Sequence, residues 1–276
     1  MLIACLLFAV GQLGFNAVTL DTWMDEGKYV MKGSWCFTGK IAPYSTVDPS
    51  LYMPPSFYSV APMEWLFGVG YLPGRVLMIV FALGCLVLAY LTGARTGRSR
   101  LAGVSAVVLI VGYPVTLTYF ATATPYAMVS CLSLALVFVL LVVRSRVLAY
   151  GTSGIILWAL VFTRPDMLPI AMIPTGWALL IEPWRKIECL AVAFLTFVAA
   201  SVVTVWAFGP GLLQVVLDTP GLAQLAAAIG IPPAPISSVL PLTVSPLDPV
   251  LPFGDIPIST VNFFDPIRLS RPSRWP

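Results

Sequence analysis

The stretch "PGRVLMIVFALGCLVLAYLTGARTGRSR", Pro73 to Arg100, decides the fold. From Val76 to Ala94 it carries no charged residue, and then Arg95, Arg98 and Arg100 follow within six positions. An uninterrupted apolar run of about 20 residues is what a helix needs to cross a bilayer. The rest of the chain has the same character. Of its 276 residues 59% are hydrophobic and 10% charged, against about 25% charged in a soluble domain. The expectation is an all-α integral membrane protein.

Outward from that run, seven apolar segments are predicted to span: Leu2–Leu20, Gly74–Thr92, Leu101–Tyr119, Pro125–Val143, Leu148–Phe162, Met167–Ile181 and Ile187–Phe208. The fifth and sixth are short and are separated by "TRPD", where Pro165 breaks the helix. The first lacks a basic leading region and a small-residue cleavage pattern, so it reads as a retained helix.

Charge orients the bundle. One set of loops holds Arg95, Arg98, Arg100, Arg144, Arg146, Arg185 and Lys186, with Glu182 and Glu188 as its acids. Short loops rich in Lys and Arg stay cytoplasmic. The N-terminus is therefore expected inside. The first loop, Asp21 to Pro73, would face out with acids such as Asp25, Glu26, Asp48 and Glu64. That loop is rich in Trp, Tyr and Pro and has room for helices lying along the membrane surface, with Trp23, Trp35 and Trp65 suited to the interface. Residues 1–208 form the expected membrane core. Residues 209–276 hold 13 of the 25 prolines and read as an extended outer tail with one candidate helix at Gly211–Ile229.

Several chemistries are excluded at once. There is no histidine, the commonest zinc ligand and near-neutral base. The five cysteines show no paired spacing, so neither a disulfide framework nor a metal knuckle is indicated. A net charge of +3 without a basic cluster does not fit nucleic acid; "TGRSR" at Thr96–Arg100 follows from the positive-inside rule.

The acidic pair Asp25–Glu26 lies directly after the first apolar segment, where a lipid-linked group comes within reach. Arg75 and Arg164 stand at the mouths of apolar segments on the same face. Ionisable groups at membrane depth are functional suspects. Each also has a structural reading: Arg75 as a snorkelling anchor, and Arg164 as the ion-pair partner of Asp166. A carboxylate with cations beside it suits transfer from a lipid phosphate, since the leaving group needs positive charge and the acceptor hydroxyl needs a base. Tyr126, in "YFATATPYAM", is a candidate lining residue. Asp25, Glu26 and Asp166 also offer oxygen ligands to a possible divalent cation, though no motif demands one. A transporter or flippase-like carrier of lipid-linked or anionic substrates could use the same groups, and an inactive fragment is the remaining alternative.

Landmarks in the first loop carry a resemblance. "DEGKYV" follows the first helix. "GKIAPY" comes next at Gly39–Tyr44, then "YMPPSFYSVAPMEWLFG" at Tyr52–Gly68, then Gly74–Arg75 opening the second helix. Together with "FTRPDML" further on, this order resembles the GT-C glycosyltransferases, in particular the protein-mannosyltransferase-like family, over most of Asp21–Ile181. The resemblance implies a polyprenyl-phosphate sugar donor and a glycan, lipid or protein acceptor. It implies Asp25 as catalytic base with Glu26 beside it, and Arg75 and Arg164 on the donor phosphate. Lys28, Tyr29, Tyr44, Tyr126 and Asp166 would line the substrate site. Two departures stand out. Met53 occupies the position where the branch that modifies lipid A has Lys, which speaks against a lipid A substrate. The family also usually continues with further spans, so the chain is expected to be C-terminally short.

Overall fold

A computed structural model describes residues 2–21, 24–37, 54–68, 70–181 and 185–208, which belong to one compact unit. The described residues are mainly helical, without strands. In order the helices are α1 (Leu2–Thr19), α2 (Met24–Phe37), α3 (Pro54–Tyr58), α4 (Ala61–Phe67), α5 (Tyr71–Thr96), α6 (Arg100–Val111), α7 (Pro114–Phe120), α8 (Tyr126–Val142), α9 (Arg146–Thr163), α10 (Met172–Ile181) and α11 (Lys186–Phe208). A 3-10 segment, Pro165–Ala171, joins α9 to α10. The expected tail and Tyr44 lie outside the described residues.

Among the described residues four helices are long and apolar enough to cross a membrane: α1, α5, α9 and Lys186–Ala207 of α11. At about 1.5 Å per residue, the 18 residues of α1 and of α9 reach about 27 Å and the 26 of α5 about 39 Å, against a hydrocarbon core of about 30 Å. Their outward faces are apolar: Leu7, Phe15, Val80, Ile155, Leu195 and Trp206 are all exposed. In water such surfaces would be costly; against acyl chains they are not.

The remaining segments depart from simple spans. The third does not run straight from Leu101 to Tyr119. It breaks into α6 and α7, which meet at a bend of 76°. Pro114 supplies the reason: it has no N–H to continue the ladder, and it pushes Tyr113 into extended backbone (φ −103°, ψ 96°). The fourth, α8, is a 17-residue apolar helix. The sixth begins as 3-10 turns around Pro165 and Pro169 and becomes α-helical only at Met172. The break expected at Pro165 is there: α9 stops at Thr163, and Arg164 is extended (φ −151°, ψ 107°).

Serines set two starts. Ser99 accepts a hydrogen bond from Leu101 N at 3.1 Å to cap α6, and Ser145 caps α9, which therefore begins two residues earlier than expected. Two cores form. In the first, Leu13 of α1, Met78, Ala82 and Leu86 of α5, Val107 of α6 and Phe120 of α7 pack together. In the second, Leu140 of α8, Tyr150 of α9, Ala178 of α10 and Ala193 of α11 do so.

The first loop is itself helical over its described parts. α2 packs on α3 and α4, and α4 on α5. Trp65, Leu66 and Phe67 of α4 are exposed, the composition of a membrane interface.

Candidate functional site

The acidic pair opens α2. Glu26 lies in its first turn and is 0% exposed. A buried carboxylate is costly unless paired and hydrogen-bonded, and Glu26 is both. Arg75 Nε donates to Oε1 at 2.9 Å and Nη2 to Oε2 at 2.7 Å, a bidentate fork. The backbone N–H of Ala123 donates to Oε1 at 2.5 Å.

Arg75 is equally occupied. Besides Glu26, Nη1 donates to Ala17 O at 2.8 Å and Leu20 O at 3.0 Å, and Nη2 to Asp21 O at 3.4 Å. Two of those carbonyls belong to the last residues around the C-terminus of α1, where helical backbone leaves acceptors without partners. A guanidinium has five N–H donors, and five bonds use them. Arg75, expected on a donor phosphate, has these partners in the structure. It ties the end of α1, the start of α2 and the start of α5 into one joint. Glu26, expected beside the base in catalysis, is the acid of this joint. Gly74 lets the joint close: a Cβ there would stand 2.8 Å from Ala123 Cβ and 2.9 Å from Val60 Cγ1.

The second cluster is built where α9 ends. Arg164 Nε donates to Asp166 Oδ1 at 3.0 Å and Nη2 to Oδ2 at 2.7 Å. Its guanidinium carbon also lies over the Tyr126 ring, 5.0 Å from the centroid. Tyr119 packs edge-on against Tyr126 at 5.2 Å. Burial works against the charge on Arg164, but the contacts with Asp166 and Tyr126 outweigh it and raise its pKa above the ordinary arginine value. Unlike Arg75 it stays partly accessible, with 23% of its side chain exposed.

Arg164 and Tyr126 line a cavity of about 580 Å³ between α5, α6, α7 and α8. Its wall is mainly apolar, with Cys85, Ile110, Phe120, Leu134 and Met167; Thr116, Ser130 and Ser133 add hydroxyls. An apolar slot with a cation on its wall is suited to an amphiphile with an anionic head.

Two bridges fix α2 to this cavity. Through Glu26 it holds Ala123, in the short loop that leads into Tyr126. Through Tyr29 it stacks on Phe57 of α3 at 5.2 Å, and Ser56 of α3 donates to Thr163 O at 2.8 Å, next to Arg164. The site residues expected from sequence thus fall into three groups. Glu26 and Arg75 form the joint. Arg164 and Tyr126 line the cavity, with Asp166 paired to Arg164. Tyr29 belongs to the bridge, and Lys28 is exposed on α2. Asp25 is in the first turn of α2, its side chain outside the described residues. The oxygens considered for a divalent cation are divided, since Glu26 and Asp166 each give a carboxylate to an arginine.

Sequence reasoning missed Ala123 and Ser56, because a backbone donor and a hydroxyl on a carbonyl leave no spacing signal. It also passed over Glu64, which is buried in α4. Compared with protein-family models, curated proteins and solved structures, the chain matches none.

Proposed function

We propose that the protein is an integral membrane glycosyltransferase that moves a sugar from a polyprenyl-phosphate donor to an acceptor hydroxyl at the outer face of the cytoplasmic membrane. The observation that carries this reading is the apolar cavity with Arg164 on its wall. The donor's lipid occupies the apolar slot, and its phosphate takes Arg164 in place of part of the Asp166 contact. The N-terminus is cytoplasmic by the distribution of Arg and Lys. Seven spans result if α6 with α7, α8, and the segment from Pro165 to Ile181 each cross.

In the reaction, the Asp25 carboxylate takes the proton of the acceptor hydroxyl. The acceptor oxygen attacks the anomeric carbon. The bond from that carbon to the phosphate oxygen breaks, and its electron pair leaves with the lipid phosphate, whose charge Arg164 stabilises. Attack opposite the leaving group inverts the anomeric centre. The Glu26–Arg75 joint holds the helix start that carries Asp25. The test is release of free polyprenyl phosphate from polyprenyl-phosphate hexose and pentose donors by the purified chain in nanodiscs. A chain that binds these donors but leaves them intact in the presence of glycan, lipid and peptide acceptors would end this reading.

One observation favours a carrier of lipid-linked anions instead: the 76° break between α6 and α7 at a wall of the cavity, since carriers build their sites from broken helices. Movement of the donor across the vesicle membrane without release of lipid phosphate distinguishes the two.

A further inference from the structure

Glu64 stands in the first turn of α4, 3% exposed, and neither of its carboxyl oxygens has a hydrogen-bond partner. Glu26, the other buried glutamate among the described residues, has Arg75 and the Ala123 N–H; Glu64 has nothing comparable. Burial without a partner penalises the charged carboxylate far more than the neutral acid. The helix that carries it has few ties. α4 is seven residues long and rests on α2, α3 and α5. It ends at Gly68, whose φ of 91° is a conformation that glycine adopts without strain. Its far face, Trp65 to Phe67, is apolar and exposed.

The ionisable side chains on the elements packed against α4 are Asp25, Glu26, Lys28, Tyr29, Lys32 and Cys36 on α2, Tyr58 on α3, and Tyr71, Arg75, Cys85, Tyr90 and Arg95 on α5. Glu26 and Arg75 hold each other, and no hydrogen bond reaches Glu64 from any of them.

We propose that α4 is a proton-gated strap: it docks on α2 while the Glu64 carboxyl is neutral and lifts about Gly68 when that carboxyl ionises. Burial pushes the Glu64 pKa up to about 8 from an ordinary 4.5. The docked form therefore binds more protons than the lifted one between those values, and docking weakens as pH rises through that window. Below 4.5 both forms are neutral and above 8 both are charged, so the balance is flat at either end. Because α4 packs on the helix that begins with Asp25 and Glu26, its lifting loosens the outer side of the candidate site. The strap does not depend on what that site binds.

Hydrogen exchange of the full chain in nanodiscs tests this, following the peptide from Tyr58 to Gly70 between pH 5 and 9. After correction for the base-catalysed rise in intrinsic exchange, opening in the native chain should increase about tenfold per pH unit from pH 6 to 8 and then level off. Glu64→Gln and Glu64→Met should each flatten that profile, and a peptide within α5 should show no such slope. A flat native profile overturns the proposal even if neither variant inserts. The same slope in the native chain and in a variant without the carboxyl overturns it as well.

Discussion

Arg75 and Glu26, 49 positions apart in the chain, meet in a buried bidentate ion pair with N–O distances of 2.9 and 2.7 Å. The pair closes the loop between α1 and α5 and fixes where α2 begins. Such a pair is weak evidence for stability in itself, but leaving one member alone is costly. Glu26→Gln or Arg75→Met alone should lower the unfolding free energy by about 3–5 kcal/mol. The double change Glu26→Gln with Arg75→Met should cost clearly less than the two single costs added. Denaturant or thermal unfolding of the four chains in detergent checks this. Additive losses would show that the two side chains act separately.

Steric closeness around the joint makes a second prediction. The Gly74 position has no room, with Ala123 Cβ and Val60 Cγ1 inside 3 Å of a would-be Cβ, whereas Gly14 has nothing within 4 Å. Gly74→Val should destabilise by about 1–3 kcal/mol through overpacking and should shift Ala123 away from Glu26. Gly14→Ala should be neutral or stabilise by up to about 1 kcal/mol, because alanine is the better helix former. Melting temperatures of the two variants should move in opposite directions or differ by several degrees.

How much of this was legible in the sequence depends on the range of each interaction. The four candidate spans among the described residues were legible because a bilayer demands a continuous apolar run, and α5 shows one. The Arg164–Asp166 pair was legible as an alternative because the two residues flank one proline. The bend between α6 and α7 was missed although Pro114 signals it; the apolar run continues through the proline and masked its effect. Arg75 could not be assigned from sequence, since a cation at a helix mouth looks the same whether it faces a ligand or a carboxylate from another helix. Glu64 looked like an ordinary loop acid for the same reason: its burial comes from α2, α3 and α5 closing around α4, which no local pattern records.

The cavity yields a third prediction. Arg164 is accessible where Arg75 is fully bonded, so the two cations should separate in a binding assay. Arg164→Gln should weaken binding of polyprenyl phosphate by about 10- to 100-fold, the range for losing a charge-assisted hydrogen bond of about 1.5–3 kcal/mol. Arg164→Lys should recover only part of this, because an ammonium cannot reproduce the planar fork or the stacking on Tyr126. Binding of radiolabelled polyprenyl phosphate to the purified variants measures it. Unchanged affinity in Arg164→Gln would remove the lipid phosphate from this cavity.

The last prediction concerns Asp25. Glu26 and Arg75 occupy each other, and Asp166 is paired with Arg164. In the proposed transfer Asp25 is the base. Asp25→Asn removes the proton acceptor while keeping the shape of the side chain, so it should lower the transfer rate by about 100- to 10,000-fold, the usual worth of a general base. Donor binding and the thermal melt should stay close to those of the native chain. Glu26→Gln should instead fail on stability as well as activity, because it breaks the joint. Measured side by side, the two variants separate a residue that does chemistry from one that holds it in place. Full transfer by a well-folded Asp25→Asn chain would rule out Asp25 as the base.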